Sequence, residues 1–359
     1  MMPVVKAARR EASFKTTVAV TGQHRQMLDQ VFTAFGEKPD IDLNLMAPSQ
    51  TLAGITANVL LRMSEVLADL KPDVMLVHGD TTTAMAAAIA GFYSRTSIGH
   101  VEAGLRSEDL RRPWPEEFNR VTIDAVADYM FAPTQSARKN LLAEYNRRSK
   151  ILVTGNTGID ALLYVSRLID DDAALLGQIS QRYNFLGQGR NLILVTGHRR
   201  ESFGQGFEQI CDGLLAVAQR EDVSVLYPVH LNPEVQSVVK KRLRGQSNIH
   251  LIEPVEYLDM VYLMKRAKLI VTDSGGIQEE GPALGRPVLV MRDVTERPEA
   301  LSTGIVKLIG TDPKKMQDEV SRLLNDKAHY DAIARPVFPY GDGTAGSQII
   351  SFLKKELVA

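Results

Sequence analysis

The stretch LIVTDSGGIQEEGPALGRPVLV, residues 269–290, contains the repeating unit from which the fold of this chain can be predicted. A short apolar run ends at Asp273, Ser-Gly-Gly opens a short polar helix, and a second apolar run follows. Pro282 and Gly285 limit that helix to a few turns. A strand, a helix and a second strand form the unit of a parallel sheet, because parallel strands need a crossover connection.

The same alternation extends outward from this stretch in two series of candidate strands. The earlier series consists of 16–22, 73–79, 97–104, 128–134 and 150–156. The later series consists of 191–197, 223–230, 249–255, 268–276, 287–293 and 305–310. Most are nearly continuous apolar runs, which is typical of strands covered on both faces, and most of the segments between them have helical spacing. The pattern predicts an α/β protein with parallel sheets.

The chain length and the break between the two series predict two domains. A chain of 359 residues exceeds the size at which a single core usually keeps growing. Between the series, residues 165–190 carry an acidic run and a Gly-rich turn, which indicate a connector. We predict two doubly wound Rossmann-like domains facing each other across a cleft, at 1–168 and 169–344. A C-terminal helix at about 345–359 is expected to pack back on the first domain.

Composition excludes several classes of function. With 42 basic and 43 acidic residues the formal net charge is -1, so we expect no general attraction to nucleic acid or to a membrane surface. The single cysteine, Cys211, excludes an internal disulfide framework and a cysteine-rich metal site. No apolar stretch approaches the roughly 20 residues needed to cross a bilayer, and the first residues lack the apolar region of a secretory signal. We therefore predict a cytoplasmic protein.

Cofactor motifs are also lacking in the sequence. The seven histidines include no HExxH motif and no HxH pair, so we expect no metal site. The nearest approach to a GxGxxG fingerprint, FGQGFEQI, has Gln209 at its third glycine position, and there is no GxxxxGK[ST] loop. Neither NAD nor a P-loop nucleotide is expected.

Polar side chains concentrate where the candidate strands end, which is where open α/β sheets bind ligands. They are His78 and Asp80, His100, Glu102 and Arg106, His198 to Glu201, and His230 with Asn232. Two of these carboxylates also have an ordinary structural interpretation. Asp80 could cap a helix beginning at Thr81, because Asp is a preferred N-cap residue. Glu102 could be a loop carboxylate paired with Arg106.

Two further segments carry the same ambiguity. In RRPWPEEFNR, residues 111–120, Glu116 and Glu117 could simply mark the start of a helix, since prolines and acids suit a first turn. His230 could be a loop histidine without a chemical role.

The opening stretch has the features of an anion site. At Ser274, Gly275 and Gly276, consecutive backbone N–H groups meet the start of a helix, whose dipole favours negative charge. Glu279 and Glu280 follow about one turn later, within reach of a ribose diol next to a phosphate. The alternative is a Ser-capped short helix with solvated acids.

Taken together, collinear motifs along almost the whole chain resemble the bacterial, non-hydrolysing UDP-N-acetylglucosamine 2-epimerase family. They are VTGQHRQMLDQ, KPDVMLVHGDTTT, GHVEAGLRS, PWPEEFNR, VTGNTGIDAL, VTGHRRESFG, YPVHLNP, VTDSGGIQEEGP and MRDVTERPEA. The resemblance implies the two-domain glycosyltransferase-B fold, a homodimer, and reversible interconversion of UDP-GlcNAc and UDP-ManNAc. The product would supply ManNAc units for bacterial surface polysaccharide, and no cofactor would be needed.

The resemblance also implies a mechanism, in which UDP is eliminated to give 2-acetamidoglucal and is then added back. The carboxylates that match the family's acid/base positions are Asp80, Glu102 and Glu116, with the order of their roles left open. His198 would stabilise the departing UDP. The remaining substrate contacts would come from Ser274, Gly275 and Gly276 at the diphosphate, Glu280 at the ribose, and Arg199.

Family members of bacterial type bind a second UDP-GlcNAc as an allosteric activator. The positions that correspond are Gln23, His24, Arg200 and His230.

The beginning of the chain departs from the family pattern. MMPVVKAARR resembles the middle of the family's first helix, so the usual first strand and its GTRPE-type loop are not present in this sequence. We expect exposed sheet edges and weaker diphosphate binding as a consequence. An N-terminally truncated UDP-sugar binder with little turnover therefore stays open as an alternative. So does a hydrolysing epimerase or a glycosyltransferase of the same fold.

Overall fold

A computed structural model describes residues 1–22, 25–45, 47, 50–144, 149–186, 189–197 and 204–358. The chain divides into two compact units. Unit 1 comprises Met1–Ala161 and Tyr340–Ala359, and unit 2 comprises Leu162–Pro339. Each unit has parallel strands and surrounding helices, so the predicted α/β class is confirmed.

Unit 1 contains two parallel sheets. The larger has four strands in the order β3-β4-β5-β6, and the smaller pairs β1 with β2. Among the described residues no pairing joins β1 to β3. The strands are β1 Ala19–Val20, β2 Ile41–Asp42, β3 Val74–His78, β4 Ser97–Val101, β5 Tyr129–Ala132 and β6 Lys150–Val153. All except β2 lie inside predicted segments; β2 is two residues long, too short for an apolar run to indicate it.

Unit 1 contains seven described helices besides α7 (Thr157–Asp171), and some of them cover both faces of its larger sheet. They are α1 Met2–Arg10, α2 Arg25–Phe35, α3 Leu52–Leu70, α4 Thr82–Tyr93, α5 Glu116–Val126, α6 Gln135–Glu144 and, near the C-terminus, α16 Ala345–Leu357. Because side chains alternate along a strand, Val77 and Ile98 pack with α3 and α4, while Val101 and Phe131 pack with α1 and α16. The amino end of α16 is held by Asp160, whose carboxylate accepts the N–H of Gly346 at 2.7 Å.

Unit 2 is built on a six-stranded parallel sheet in the order β12-β11-β10-β7-β8-β9. The strands are β7 Asn191–Thr196, β8 Val223–Pro228, β9 Ile249–Ile252, β10 Leu269–Thr272, β11 Val288–Val290 and β12 Val306–Leu308. The chain builds outward from β7 through β8 and β9, then returns to place β10 on the other side of β7. Strand order therefore reverses between β7 and β10, and such a reversal leaves a crevice at the carboxyl ends of the strands.

The helices of unit 2 connect these strands or cover the sheet. They are α8 Ala173–Arg182, α9 Gln205–Val217, α10 Pro233–Leu243, α11 Tyr257–Arg266, α12 Gly275–Ala283, α13 Pro298–Leu301, α14 Pro313–Asn325 and α15 Lys327–Ile333. Within the described part of the chain, no helix is long and apolar enough to cross a membrane.

The described part of the segment 165–190, predicted as a connector, is mostly helical. Helix α7, Thr157–Asp171, passes through the boundary between the two units and is followed at once by α8. Asp172 separates the two helices, and its carboxylate accepts hydrogen bonds from the N–H groups of Ala174 and Leu175. The acidic run therefore marks a helix cap, a role in which Asp is favoured because it satisfies otherwise unpaired N–H groups.

Replacing Gly155 should destabilise unit 1 more than replacing a glycine in open space. Gly155 has φ +86°, and a Cβ there would lie 2.7 Å from the Cα of Gly341. Gly245 has a similar φ of +92° but no atom within 4 Å of its Cβ position. We expect Gly155→Ala to lower the free energy of unfolding by about 2–4 kcal/mol and Gly245→Ala by about 1 kcal/mol. Urea unfolding of both variants measures the difference, and equal losses would contradict the backbone clash.

Candidate active site

In unit 1 the polar loops after β3 and β4 lie side by side because these strands are parallel neighbours. Val74 pairs with Ser97 and His78 with Val101, and the N–H of Gly79 donates to the carbonyl of Val101 at 3.0 Å. Asp80 and Glu102, each just past a strand end, are therefore held at the same edge of the sheet.

Asp80 is directed toward α5 and does not cap α4. Thr81 is the N-cap residue of α4, and its hydroxyl accepts the N–H of Ala84 at 3.1 Å. The carboxylate of Asp80 instead accepts a short hydrogen bond from the guanidinium of Arg120. The interpretation of Asp80 as a helix cap is wrong, since the adjacent threonine satisfies the free N–H group.

Several contacts from the first turns of α5 fix Asp80 in place. The side-chain amide of Asn119 donates to the main-chain carbonyl of Asp80 at 2.8 Å. Arg120 also donates to Glu117 at 2.9 Å, and buried Glu117 accepts the N–H of Ser107 at 2.9 Å. These bonds hold the backbone and the side chain of Asp80 at once.

Glu102 occupies a strained backbone position. Its φ is +71°, in the left-handed region that a residue with a side chain adopts at a cost. The N–H groups of Glu102 and Ala103 both donate to the carbonyl of Phe131, at 3.0 and 3.1 Å. A carboxylate on a left-handed residue at a strand end is typical of functional sites, where surrounding bonds maintain the strain.

The side chain of Glu102 lies beside an imidazole. Nε2 of His78 is 3.2 Å from Oε2 of Glu102. Burial lowers the pKa of His78 below its ordinary value, against the opposing attraction of Glu102. Glu102 thus faces an imidazole that favours its neutral form, whereas Asp80 faces a permanent cation.

Arg106 has partners other than the one that the sequence suggested. Its guanidinium forms ion pairs with Asp124 and Glu144, both at 2.8 Å. Arg106 therefore pairs with residues of α5 and α6, whereas the sequence suggested Glu102 as its partner.

Glu116 is the first residue of α5, as the helix-start interpretation predicts. It is partly exposed, while the adjacent Glu117 is buried. Arg120, which donates a hydrogen bond to Asp80, is four residues further along the same helix. It therefore lies on the same face as Glu116. Glu116 thus lies on the face of α5 that carries the partner of Asp80, and its side chain is partly exposed.

In unit 2 the Ser-Gly-Gly turn lies at the carboxyl end of β10, next to the point where strand order reverses. Ser274 is the N-cap residue of α12, yet its side chain makes no capping hydrogen bond. Its N–H donates to the hydroxyl of Thr272 at 2.9 Å, and Gly276 is exposed. The Ser-capped alternative is wrong, and the amino end of α12 retains the character of an anion site.

The two acids after this turn have different surroundings. Glu279 is buried and accepts a hydrogen bond from Nε of Arg297 at 2.5 Å. Glu280 is partly buried and accepts the hydroxyl of Tyr257 at 3.2 Å. Burial raises the pKa of Glu280 to about 7, although the Tyr257 hydrogen bond opposes the shift. Of the two, Glu280 is the carboxylate able to bind a diol.

Sequence reasoning assigned no role to several residues that organise these sites. Arg120 and Asn119 position Asp80, and Arg297 holds Glu279. Thr295 donates to the side-chain carbonyl of Gln278 at 2.6 Å, which ties the loop after β11 to α12. Arg120 had a detectable signal, because it follows Glu116 by four residues at a predicted helix start. The contacts of Arg297 and Thr295 join loops distant in sequence and have no such signal.

Several predicted site residues lie outside the described residues, namely Gln23, His24, His198, Arg199 and Arg200. His230 is exposed just after β8, and its Nδ1 accepts the N–H of Asn232 at 3.1 Å. Asn232 in turn caps α10. Over the ranges that the structure covers, no group of three or more His, Cys, Asp or Glu side chains is placed to hold a metal ion.

The chain is similar over almost its whole length to proteins of one known family. The family model described as UDP-N-acetylglucosamine 2-epimerase matches residues 6–354. A UDP-N-acetylglucosamine 2-epimerase of Yersinia pestis is 52% identical over 359 residues, covering 100% of this chain and 96% of the relative. One of Escherichia coli K12 is 51% identical over 360 residues, with the same coverage.

Solved structures of such enzymes have the same fold. The UDP-GlcNAc 2-epimerase of Neisseria meningitidis bound to UDP-GlcNAc has a TM-score of 0.93 at 43% identity, covering 99% of this chain and 96% of that one. The enzyme of Methanocaldococcus jannaschii in complex with UDP-GlcNAc and UDP has a TM-score of 0.81 at 32% identity, covering 99% and 95%. The predicted glycosyltransferase-B fold is thereby confirmed, and the chain belongs to the UDP-N-acetylglucosamine 2-epimerase family.

Proposed function

We propose that this chain catalyses the reversible epimerisation of UDP-GlcNAc to UDP-ManNAc at C2 of the sugar. The observation that carries the proposal is the pair of carboxylates, Asp80 and Glu102, at the ends of adjoining strands in a chain about half identical to such epimerases. We place the reaction in the cytoplasm, where its product would supply ManNAc units for surface polysaccharide.

The chemistry begins with elimination, because the C2–H bond has no neighbouring carbonyl to acidify it. A carboxylate takes the C2 proton, the electrons of the C2–H bond form a C1=C2 double bond, and UDP leaves with the electrons of the C1–O bond. UDP then adds back to C1 of the 2-acetamidoglucal, and a proton is delivered to the opposite face of C2. No hydride is transferred in these steps, so we infer that NAD takes no part, and we propose that the reaction needs no metal.

The proton transfers require groups that reach both faces of the sugar ring. Asp80, Glu102 and Glu116 are the residues we assign to them. General acid–base groups of this kind contribute about 10²–10⁴-fold to a rate. Arg120 fixes the orientation of Asp80, the left-handed backbone fixes that of Glu102, and Glu116 stays accessible. Differing surroundings allow similar carboxylates to take separate roles.

Binding of the UDP moiety is assigned to unit 2. The turn of Ser274, Gly275 and Gly276 at the amino end of α12, together with the dipole of that helix, favours the diphosphate and the charge it gains on leaving. Glu280 accepts the ribose hydroxyls. His198 is proposed to stabilise the leaving group, and Arg199 to contact the substrate.

A second UDP-GlcNAc is proposed to act as an activator through Gln23, His24, Arg200 and His230. The exposure of His230 is compatible with this role.

Turnover in D₂O tests the reaction directly. Incubation with UDP-GlcNAc should yield UDP-ManNAc that carries deuterium at C2, seen by proton NMR as loss of the C2–H signal. Asp80→Asn and Glu102→Gln should lower kcat by at least about 100-fold, because each removes a proton-transfer group. Glu65→Gln, on the exposed surface of α3, is the matched control and should keep full activity. Release of free ManNAc would favour a hydrolysing enzyme, and UDP binding without turnover would favour the truncated binder.

Binding of UDP-GlcNAc should release a proton near neutral pH. Glu280 has a raised pKa of about 7, and a diol bound by its carboxylate stabilises the charged form. Affinity should therefore fall as the pH drops below about 7, by up to about tenfold per pH unit, and should level off above it. UDP-GlcNAc suits this test because its diphosphate is a diester that does not titrate in this range.

Calorimetry in two buffers of different ionisation enthalpy measures the proton release. Glu280→Gln should abolish the pH dependence. Tyr257→Phe removes a hydrogen bond that lowers the Glu280 pKa, so the midpoint should move to higher pH. An unchanged profile in Glu280→Gln would exclude Glu280 as the ribose ligand.

We further propose that the chain is a homodimer. Large apolar side chains on α3 and α4 are exposed, with Leu61 at 63%, Phe92 at 56% and Tyr93 at 71%. Phe92 and Tyr93 adjoin, with ring centroids 6.3 Å apart, and interfaces are enriched in aromatic residues. Sedimentation should show a dimer for the wild type and a shift toward monomer for Phe92→Glu. The control is Leu176→Glu, an exposed apolar position in unit 2 that should stay dimeric.

A further inference from the structure

A buried histidine lies between the two loops that carry Asp80 and Glu102. The side chain of His100, on β4, is fully buried. Its Nδ1 is 2.5 Å from Oδ1 of Asp124, and its Nε2 is 2.9 Å from the carbonyl oxygen of Gly79. A carbonyl oxygen can only accept a hydrogen bond, so Nε2 must carry a proton. The contact with Gly79 therefore makes Nε2 of His100 a hydrogen-bond donor.

Asp124, on α5, continues the contact toward the second loop. Its other oxygen, Oδ2, accepts the N–H of Gly104 at 3.2 Å and lies 2.8 Å from the guanidinium of Arg106. Burial alone would raise the pKa of Asp124, but His100 and Arg106 hold this pKa below its ordinary value. At 2.5 Å, Nδ1 of His100 and Oδ1 of Asp124 share a hydrogen bond, so the ring is held on both sides.

The two ends of this chain of bonds reach the backbone next to the proposed acid/base residues. Gly79 immediately precedes Asp80, and Gly104 follows Glu102 by two residues. Glu102 and Gly104 both have left-handed backbone, with φ +71° and +85°, so this turn needs external bonds to keep its shape. A Cβ at Gly104 would lie 2.4 Å from the carbonyl oxygen of Ala137, so the turn packs closely against α6.

We propose that His100 and Asp124 are positioning residues for the epimerisation, which together hold the loops of Asp80 and Glu102 in register. The proposal rests on the function assigned above. A buried polar pair is weak evidence for a role in stability, since apolar side chains often pack as well. His100 donates to the carbonyl of Gly79 in one loop, and Asp124 accepts the N–H of Gly104 in the other. These directional bonds set the distance between the two loops, which apolar packing would not define.

The spacing matters because the two carboxylates act on one carbon atom. A misplacement of about 1 Å in a catalytic group can cost about 100-fold in rate. Neither His100 nor Asp124 is expected to contact the substrate, and the residues assigned to UDP lie in unit 2. Loss of the pair should therefore reduce the rate of the chemical step and leave nucleotide binding intact.

Steady-state kinetics with UDP-GlcNAc tests the proposal. Asp124→Asn keeps the shape of the side chain but removes the charge that pairs with His100, and His100→Gln removes the ring. Each should lower kcat by about 10- to 100-fold, with the KM for UDP-GlcNAc and the calorimetric Kd for UDP changed less than about twofold. The matched control is Asp128→Asn, which loosens the opposite end of β4, where Asp128 accepts the N–H of Ile98 at 2.9 Å. Its kcat should stay within about twofold of wild type.

A folded Asp124→Asn variant with wild-type kcat would overturn the proposal. So would a parallel loss of kcat in the Asp128→Asn control, which would reveal a general effect of loosening the sheet. Failure of the proposed function is distinguishable, because it appears as absence of turnover in the wild type itself.

NMR of the wild type with ¹⁵N-labelled histidine provides a measurement that needs no variant. We expect one buried ring with a proton on Nε2 and a strongly deshielded proton in the Nδ1 contact. A His100 ring that lacks the Nε2 proton would show that it does not hold Gly79, and would overturn the proposal.

Discussion

Parallel pairing of β3 with β4 is the constraint on which the candidate site of unit 1 depends. Two strands that run in the same direction end at the same edge, so the loops that follow them meet although their sequences are more than twenty residues apart. Helix α5 closes the arrangement by supplying Arg120 to Asp80 and Asp124 to His100. If the register of these strands changed, Asp80 and Glu102 would no longer adjoin.

The same side-chain chemistry acquires different properties from its surroundings. Asp80 faces a guanidinium, Glu102 faces an imidazole whose pKa is lowered by burial, and Glu116 is left accessible at a helix start. In unit 2, Glu279 forms an ion pair with Arg297, whereas burial raises the pKa of Glu280 to about 7. Removing a proton from one face of a carbon atom and returning one to the other face requires carboxylates with different surroundings, so that one acts as base and another as acid.

Where the sequence interpretations were wrong, a neighbouring residue performed the expected task. Thr81 caps α4 in place of Asp80, and no capping bond comes from Ser274. Asp124 and Glu144 bind Arg106 in place of Glu102. The errors at Asp80 and at Arg106 both concern competition between nearby polar groups for one partner. Competition of this kind is decided by distances that residue types alone do not specify.

The sequence by itself determined the α/β class, nearly all the strand positions, the Ser-Gly-Gly turn and the family, because apolar periodicity and local motifs are short-range properties. Only the tertiary structure decided that Arg120 orients Asp80 and that His100 links Gly79 to Asp124. It also decided that burial gives Glu280 its raised pKa. These are contacts and desolvation effects between segments distant in the chain, and they exist only once the strands have paired and the helices have packed.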